Sequence, residues 1–228
     1  MNKNVFKKAL TAALPVMYSY LIIGMGFGMV VQSRGFGALW AGAMSVFIYA
    51  GSMQFVALEL IGSGASLLTA AITTVMVNLR HVFYGLSMVD KYKITGAFKP
   101  YLIYALSDET YSLVCNPPQL LPGEQRYFYL LVSAMDQACW VLGSILGGLL
   151  GAALPFSTQG IDFALTALFV SVVAEQWLSS KEHTPALLGL GLSLLCLLLF
   201  GADQFLLPAM VLILLGLSLY RRGRGAKA

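Results

Sequence analysis

Apolar residues run through this sequence in long blocks, and short polar or glycine-rich stretches punctuate them. Blocks of that kind, repeated along the whole chain, predict membrane-crossing helices, each needing about 20 residues to span the hydrocarbon. The first runs from Ala12 to Gln32, behind a basic tail at residues 1–11 that reads as an interfacial turn. Arg34 to Gly37 make a turn, and a second span covers Leu39 to Ile61. Gly62-Ser63-Gly64 lead into a third, Ala65 to Met88, and Asp90 to Pro100 read as a loop. Tyr101 to Val114 form a short fourth segment, and the prolines at 117 and 118 exclude a continuous helix through 116–123. The fifth span is Tyr127 to Leu154, and Pro155 to Gly160 turn the chain into a sixth at Ile161 to Leu178. Two short segments follow, Ala186 to Phe200 and Phe205 to Tyr220. The expected fold is therefore all-α: a polytopic membrane bundle of about eight hydrophobic segments.

The pattern is broken most sharply inside the third span, which carries Asn78, Arg80 and His81 within four residues. A charge at the bilayer centre costs roughly 3 kcal/mol, so a chain keeps one there for a use. On a helix Arg80 and Tyr84 lie one turn apart, as do Asn78 and His81, and these groups cover one broad side. Candidate partners come from other segments: Gln54 in the second, Asp108 and Glu109 in the fourth, Asp136 in the fifth. Gly51 and Ser52 permit a local break in the second span. Two readings stand beside each other. In one, Arg80 is neutralised by Asp108, Glu109 or Asp136 and the network only holds helices together. In the other, the groups line a substrate or proton path, with His81, Asp108, Glu109 and Asp136 as coupling candidates.

Composition strengthens the membrane reading. The 228 residues are 58% hydrophobic and 11% charged, with a mean hydropathy of +0.79; a soluble domain carries about 25% charged residues. The 23 glycines suit close helix packing in lipid, above all the Gly24-Met25-Gly26-Phe27-Gly28 stripe. That stripe follows no strand, so it is no dinucleotide fingerprint. The chain is read as one transporter domain over residues 1–228, with possible halves at 1–115 and 124–228. A shift of 122 residues lays the first span on the fifth and the second on the sixth, an internal echo of the kind that duplicated transporters carry.

The net charge of +4 sits largely in the two tails, at Lys3, Lys7, Lys8 and at Arg221, Arg222, Arg224, Lys227. Basic tails beside apolar spans are orientation signals and predict that both termini are cytoplasmic. Nucleic-acid binding is excluded by that placement. Eight full crossings would put the lysines at 91, 93 and 99 outside, which a broken or re-entrant second or third segment would relieve. The apolar stretch behind the N-terminal lysines carries Pro15 and no clean cleavage site, so no removed signal peptide is expected. Cys115, Cys139 and Cys196 are scattered, without metal-ligand spacing, and are read as small hydrophobes. No HExxH or GxSxG pattern is present, so neither catalysis, cofactor nor metal is expected.

Tyr49-Ala50-Gly51-Ser52-Met53-Gln54-Phe55, Val77-Asn78-Leu79-Arg80-His81 and Tyr84-Gly85-Leu86-Ser87 together resemble the AzlC/YgaZ family. So does Gly160-Ile161-Asp162-Phe163-Ala164-Leu165-Thr166-Ala167-Leu168-Phe169. That family comprises the large subunits of bacterial branched-chain amino acid exporters. The resemblance implies export of valine, leucine, isoleucine or methionine across the inner membrane, together with a small AzlD/YgaH-type membrane subunit. A zwitterionic substrate needs a cation for its carboxylate and an acceptor for its ammonium. On this expectation Arg80 and Asp108 or Asp136 supply those, Gly51, Ser52, Gln54, Asn78, His81 and Tyr84 complete the site, and Met53, Phe55 and Leu79 make an apolar wall. The competing class is a membrane scaffold or channel subunit that transports no amino acid.

Overall fold

A computed structural model describes residues 3–121, 123–153, 170, 173–174, 177–178, 182–201 and 205–225. Among them the regular structure is helical and no strand occurs. The chain forms two compact units, Met1–Ala164 and Leu165–Ala228.

The first unit is built around two long helices, α1 (Lys3–Ser33) and α7 (Gln125–Ala153). Both are long and apolar enough to cross a membrane. Their seam is made by glycine. A Cβ on Gly24 would lie 2.8 Å from the Trp140 carbonyl oxygen, and one on Gly28 or Gly147 would run into the facing backbone. Gly26, in the same stripe, faces open space. Gly24 and Gly28 are four residues apart and so share the side that meets α7. Backbones can approach this closely only without side chains between them.

Four further helices pack onto this pair or its neighbours: α2 (Gly37–Phe47), α3 (Gly51–Gly62), α5 (Lys99–Tyr104) and α6 (Asp108–Val114). The predicted second span is thus two helices. Between them Tyr49 takes a positive φ of 38° and Ala50 is extended. At 11 and 12 residues, each half is about 17 Å long, roughly half a bilayer. The predicted fourth segment is also divided, at Ala105-Leu106-Ser107. Ser107 ends the break by capping α6: its Oγ accepts the Thr110 amide at 3.1 Å.

The polar third span is α4 (Leu67–Tyr92), started by Ser66, whose Oγ accepts the Thr69 amide. Two expected boundaries move. The basic tail is helix from Lys3 onward, since lysine is a good helix former and its stem can lie along apolar surface. The expected loop 90–100 is helix to Tyr92, then a 3₁₀ segment Lys93–Phe98, before α5 begins at Lys99. Gly96, at φ 58°, marks the bend. Residues 115–124 contain no helix among those described, as the prolines require.

The second unit contains α8 (Thr184–Phe200) and α9 (Leu206–Gly225), packed on each other. Gly216 lets the Leu188 side chain come close, within 2.9 Å of where a Cβ would stand. Trp177 stacks on His183 at 4.1 Å between ring centres. The expected turn at Pro155 to Gly160, most of the sixth span, Asp162, Glu175, Gln176 and Asp203 lie outside the described residues. So does the Gly160–Phe169 motif, and with it the second half of the internal echo.

Candidate functional site: an ion pair at two helix breaks

The two helix breaks put the first turns of α3 and α6 on either side of Arg80 of α4. The Arg80 guanidinium pairs with Asp108 Oδ2 at 3.0 Å and donates a second hydrogen bond to Ser52 Oγ. Asp108 and Ser52 are first-turn residues of α6 and α3. A carboxylate in a first turn is favoured by the helix dipole, which accounts for Asp108 at that position. The α3 N-terminus has no side-chain cap, because its N-cap residue is Ala50. Its first-turn amides thus have no side-chain acceptor.

The pair is not sealed. Arg80 keeps 41% of its side chain exposed and Asp108 keeps 34%. Two polar atoms of the pair have no hydrogen-bond partner, Arg80 Nε and Asp108 Oδ1, and Asn78 Oδ1 elsewhere on α4 has none either. Asn78 uses only its amide hydrogens, donating to the Thr74 carbonyl at 2.9 Å. His81 Nδ1 lies 3.2 Å from the Asn78 carbonyl on the same helix. The ring of Tyr84 stacks on Tyr111 of α6 at 4.6 Å, and its hydroxyl lies beside Asp108. The pair thus keeps a free donor, Arg80 Nε, and a free acceptor, Asp108 Oδ1, whereas Asn78, two residues before Arg80, projects from nearly the opposite side of α4.

Gln54 does not join this opening. It is fully buried, and both ends of its amide are used. Its Nε2 donates to Ser45 Oγ at 3.1 Å, and its Oε1 accepts from Trp140 Nε1 at 2.8 Å. Ser45 donates to Ser144 Oγ at 2.7 Å, and Ser144 to the Trp140 carbonyl at 2.8 Å. Gly51 packs under the Trp140 ring, 3.3 Å from where a Cβ would stand. Met53 and Phe55 are likewise buried, and Phe55 sits edge-on against Phe27 at 5.2 Å. These side chains brace the break from behind. Leu79, beside Arg80 on α4, is partly exposed.

The remaining acids go elsewhere. Glu109 is exposed, and its Oε2 lies 2.6 Å from the Tyr20 hydroxyl of α1. Asp136 of α7 is fully buried and accepts from Thr110 Oγ1 at 2.8 Å, not from Arg80. Its other oxygen, Oδ1, has no partner. No cluster of metal-ligating side chains occurs among the described residues.

Sequence reasoning passed over Tyr20, Ser45, Ser107, Thr110, Trp140 and Ser144. One of them carried a signal: Ser107-Asp108-Glu109 is a capping residue followed by two acids, the pattern of a helix start. The others are hydroxyls and a tryptophan in apolar runs, where nothing local marks the side that matters.

The comparisons agree with the motif pattern. The family model described as "AzlC protein" matches residues 15–154. A Bacillus subtilis protein named "Branched-chain amino acid transport protein AzlC" is 40% identical, over 97% of this chain and 89% of its own length. A Helicobacter pylori protein described as an uncharacterized membrane protein is 39% identical over 95% of each chain. "Inner membrane protein YgaZ" of Escherichia coli is 26% identical over 91% of this chain and 85% of its own. No solved structure matches. The family model spans more than half of the chain and the Bacillus subtilis relative nearly all of it, so the chain belongs to the AzlC family of integral membrane proteins.

Proposed function

We propose that this chain is the transporting subunit of a secondary exporter for branched-chain amino acids, with valine, leucine and isoleucine, and also methionine, as substrates. The observation that carries the reading is the half-open Arg80–Asp108 pair with unused Arg80 Nε and Asp108 Oδ1. An α-amino acid brings one carboxylate and one ammonium. The carboxylate fits Arg80 Nε and the uncapped start of α3, and the ammonium fits Asp108 Oδ1. The substrate then supplies partners to groups that otherwise stay desolvated and unpaired, which is where binding energy comes from. The relative named as a branched-chain amino acid transport protein, 40% identical, supports the substrate class.

Export is linked to the proton gradient, across the inner membrane, with both termini cytoplasmic. A small AzlD/YgaH-type membrane subunit completes the unit. His81, Asp108, Glu109 and Asp136 are the groups able to exchange protons there. The test is efflux from dipeptide-loaded cells that carry this chain and the small subunit. Leucine, valine and isoleucine should leave faster than from cells without the pair. Equal efflux from both would end the transport reading.

A further inference from the structure

Between the exposed Glu109 and the buried Asp136 the side chains form an unbroken line of hydrogen bonds. Glu109 Oε2 lies 2.6 Å from Tyr20 OH, which lies 2.7 Å from Ser107 Oγ. Ser107 Oγ lies 2.9 Å from Thr110 Oγ1, and that lies 2.8 Å from Asp136 Oδ2. Two carboxyls are thus joined through three hydroxyls contributed by α1 and by the start of α6. Every distance is within the range for O–H···O bonds. Tyr20 is 5% exposed, and Thr110 and Asp136 are fully buried, so water does not compete along the line.

We propose that this line is a proton relay, with Glu109 at its outer end and Asp136 as the internal proton store that the exporter's coupling requires; it rests on the proton-linked reading above. The transfer balances. Protonated Glu109 donates to Tyr20, Tyr20 to Ser107, Ser107 to Thr110 and Thr110 to the Asp136 carboxylate. Each hydroxyl takes one proton and passes one on, so Glu109 ends as carboxylate and Asp136 as carboxylic acid. The reverse transfer uses the same heavy atoms with every hydroxyl turned round.

Ser107 permits both directions. Its oxygen accepts the Thr110 amide in either case, so reversing the hydroxyls leaves the α6 cap intact. The hydroxyl then accepts one further bond and donates one, which fills its capacity whichever way it points. The line also runs through a helix break, so movement of α6 relative to α1 would connect or cut it.

The other ionisable groups facing Asp136 are Tyr49 at the α2–α3 break, Tyr101 of α5 and Cys139 of α7. Glu109 faces Tyr20, Tyr49 and Tyr84. None of these brings a positive charge. Arg80 is paired with Asp108, and no ion pair to Asp136 or Glu109 occurs among the described residues. A neutral, proton-carrying form is thus the one a buried Asp136 can hold without a partner cation.

The experiment uses vesicles that carry the complete transport unit, loaded with leucine and a pH dye, under an inward proton gradient. Thr110→Val and Tyr20→Phe should each lower proton-driven leucine efflux at least about tenfold. Leucine–leucine exchange needs no net proton movement and should fall less than about twofold. Wild-type proton-driven efflux in both variants overturns the relay. So does a wild type that moves leucine without moving protons, which leaves the transport reading standing. A wild type that moves no branched-chain amino acid ends the transport reading instead. The relay is then judged by infrared exchange of a protonated-carboxyl band that Asp136→Asn removes. Hydrogen–deuterium exchange of that band should slow at least about tenfold in Tyr20→Phe, which keeps the ring against Trp140. Absence of the band, or unchanged exchange, overturns the relay. Tyr20 caps no helix, so this arm holds even if Thr110→Val fails to fold.

Discussion

Two polar clusters flank the same helix break and are finished in opposite ways. Behind it, Gln54, Ser45, Ser144 and Trp140 form a closed network in which both ends of the Gln54 amide are satisfied and the Gln54, Ser45 and Ser144 side chains are fully buried. In front of it, Arg80 and Asp108 are partly exposed and each keeps an unused donor or acceptor. The front cluster carries an ion pair and the rear one is neutral, and the two differ as well in satisfaction. A completed buried network fixes helix positions, whereas an incomplete one retains capacity for something that is not part of the chain.

Substitutions at the seam, behind the break and in front of it test that contrast, with a falling loss of folding free energy. Gly147→Val strikes the seam on which both clusters depend, because its Cβ would meet the Met25 backbone. It should cost about 3 kcal/mol or more and remove most folded protein, read as the yield of monodisperse detergent-solubilised chain. Gln54→Leu should cost about 1–3 kcal/mol, since Trp140 Nε1 is left unpaired in a dry interior and Ser45 keeps only its bond to Ser144. Leucine affinity of the molecules that still fold should remain at the wild-type level. A changed affinity at unchanged melting temperature would move Gln54 into the site and erase the contrast. Tyr84→Phe keeps the stack on Tyr111 and removes only the hydroxyl beside Asp108. It should cost under about 1 kcal/mol of stability, with a few-fold weaker leucine binding by equilibrium dialysis.

The legible parts of the molecule were those set by composition and spacing. The Gly24–Gly28 stripe announced a close helix contact, Gly51 announced a break, and Pro117-Pro118 announced a non-helical stretch. Arg80 stood out because its cost in a bilayer is large. Less legible was anything decided by which side of a helix meets which neighbour. Met53, Gln54 and Phe55 follow Ser52 within one turn of α3, yet Ser52 meets Arg80 while these three turn inward. A conspicuous motif therefore held both the opening and its brace. The relay hydroxyls were harder still, since Tyr20 and Thr110 lie far apart in sequence and only the folded chain joins them. Helix ends moved where lysine was read as a loop marker, at Lys3 and at Lys91, although its long stem suits a helix end at an interface.

The central claim is that Arg80 faces a ligand while its neighbours behind the break hold the fold. The most direct measurement is equilibrium binding of radiolabelled leucine to the Arg80→Ala variant, alongside thermal unfolding of the same sample. Arg80 is partly exposed, so its loss should lower stability by less than about 1 kcal/mol. Leucine affinity should fall at least about a hundredfold, as expected when a charged hydrogen-bonding partner of the substrate is removed. Wild-type affinity in a well-folded Arg80→Ala protein would contradict the account, as would a loss of binding that merely follows a collapse in stability.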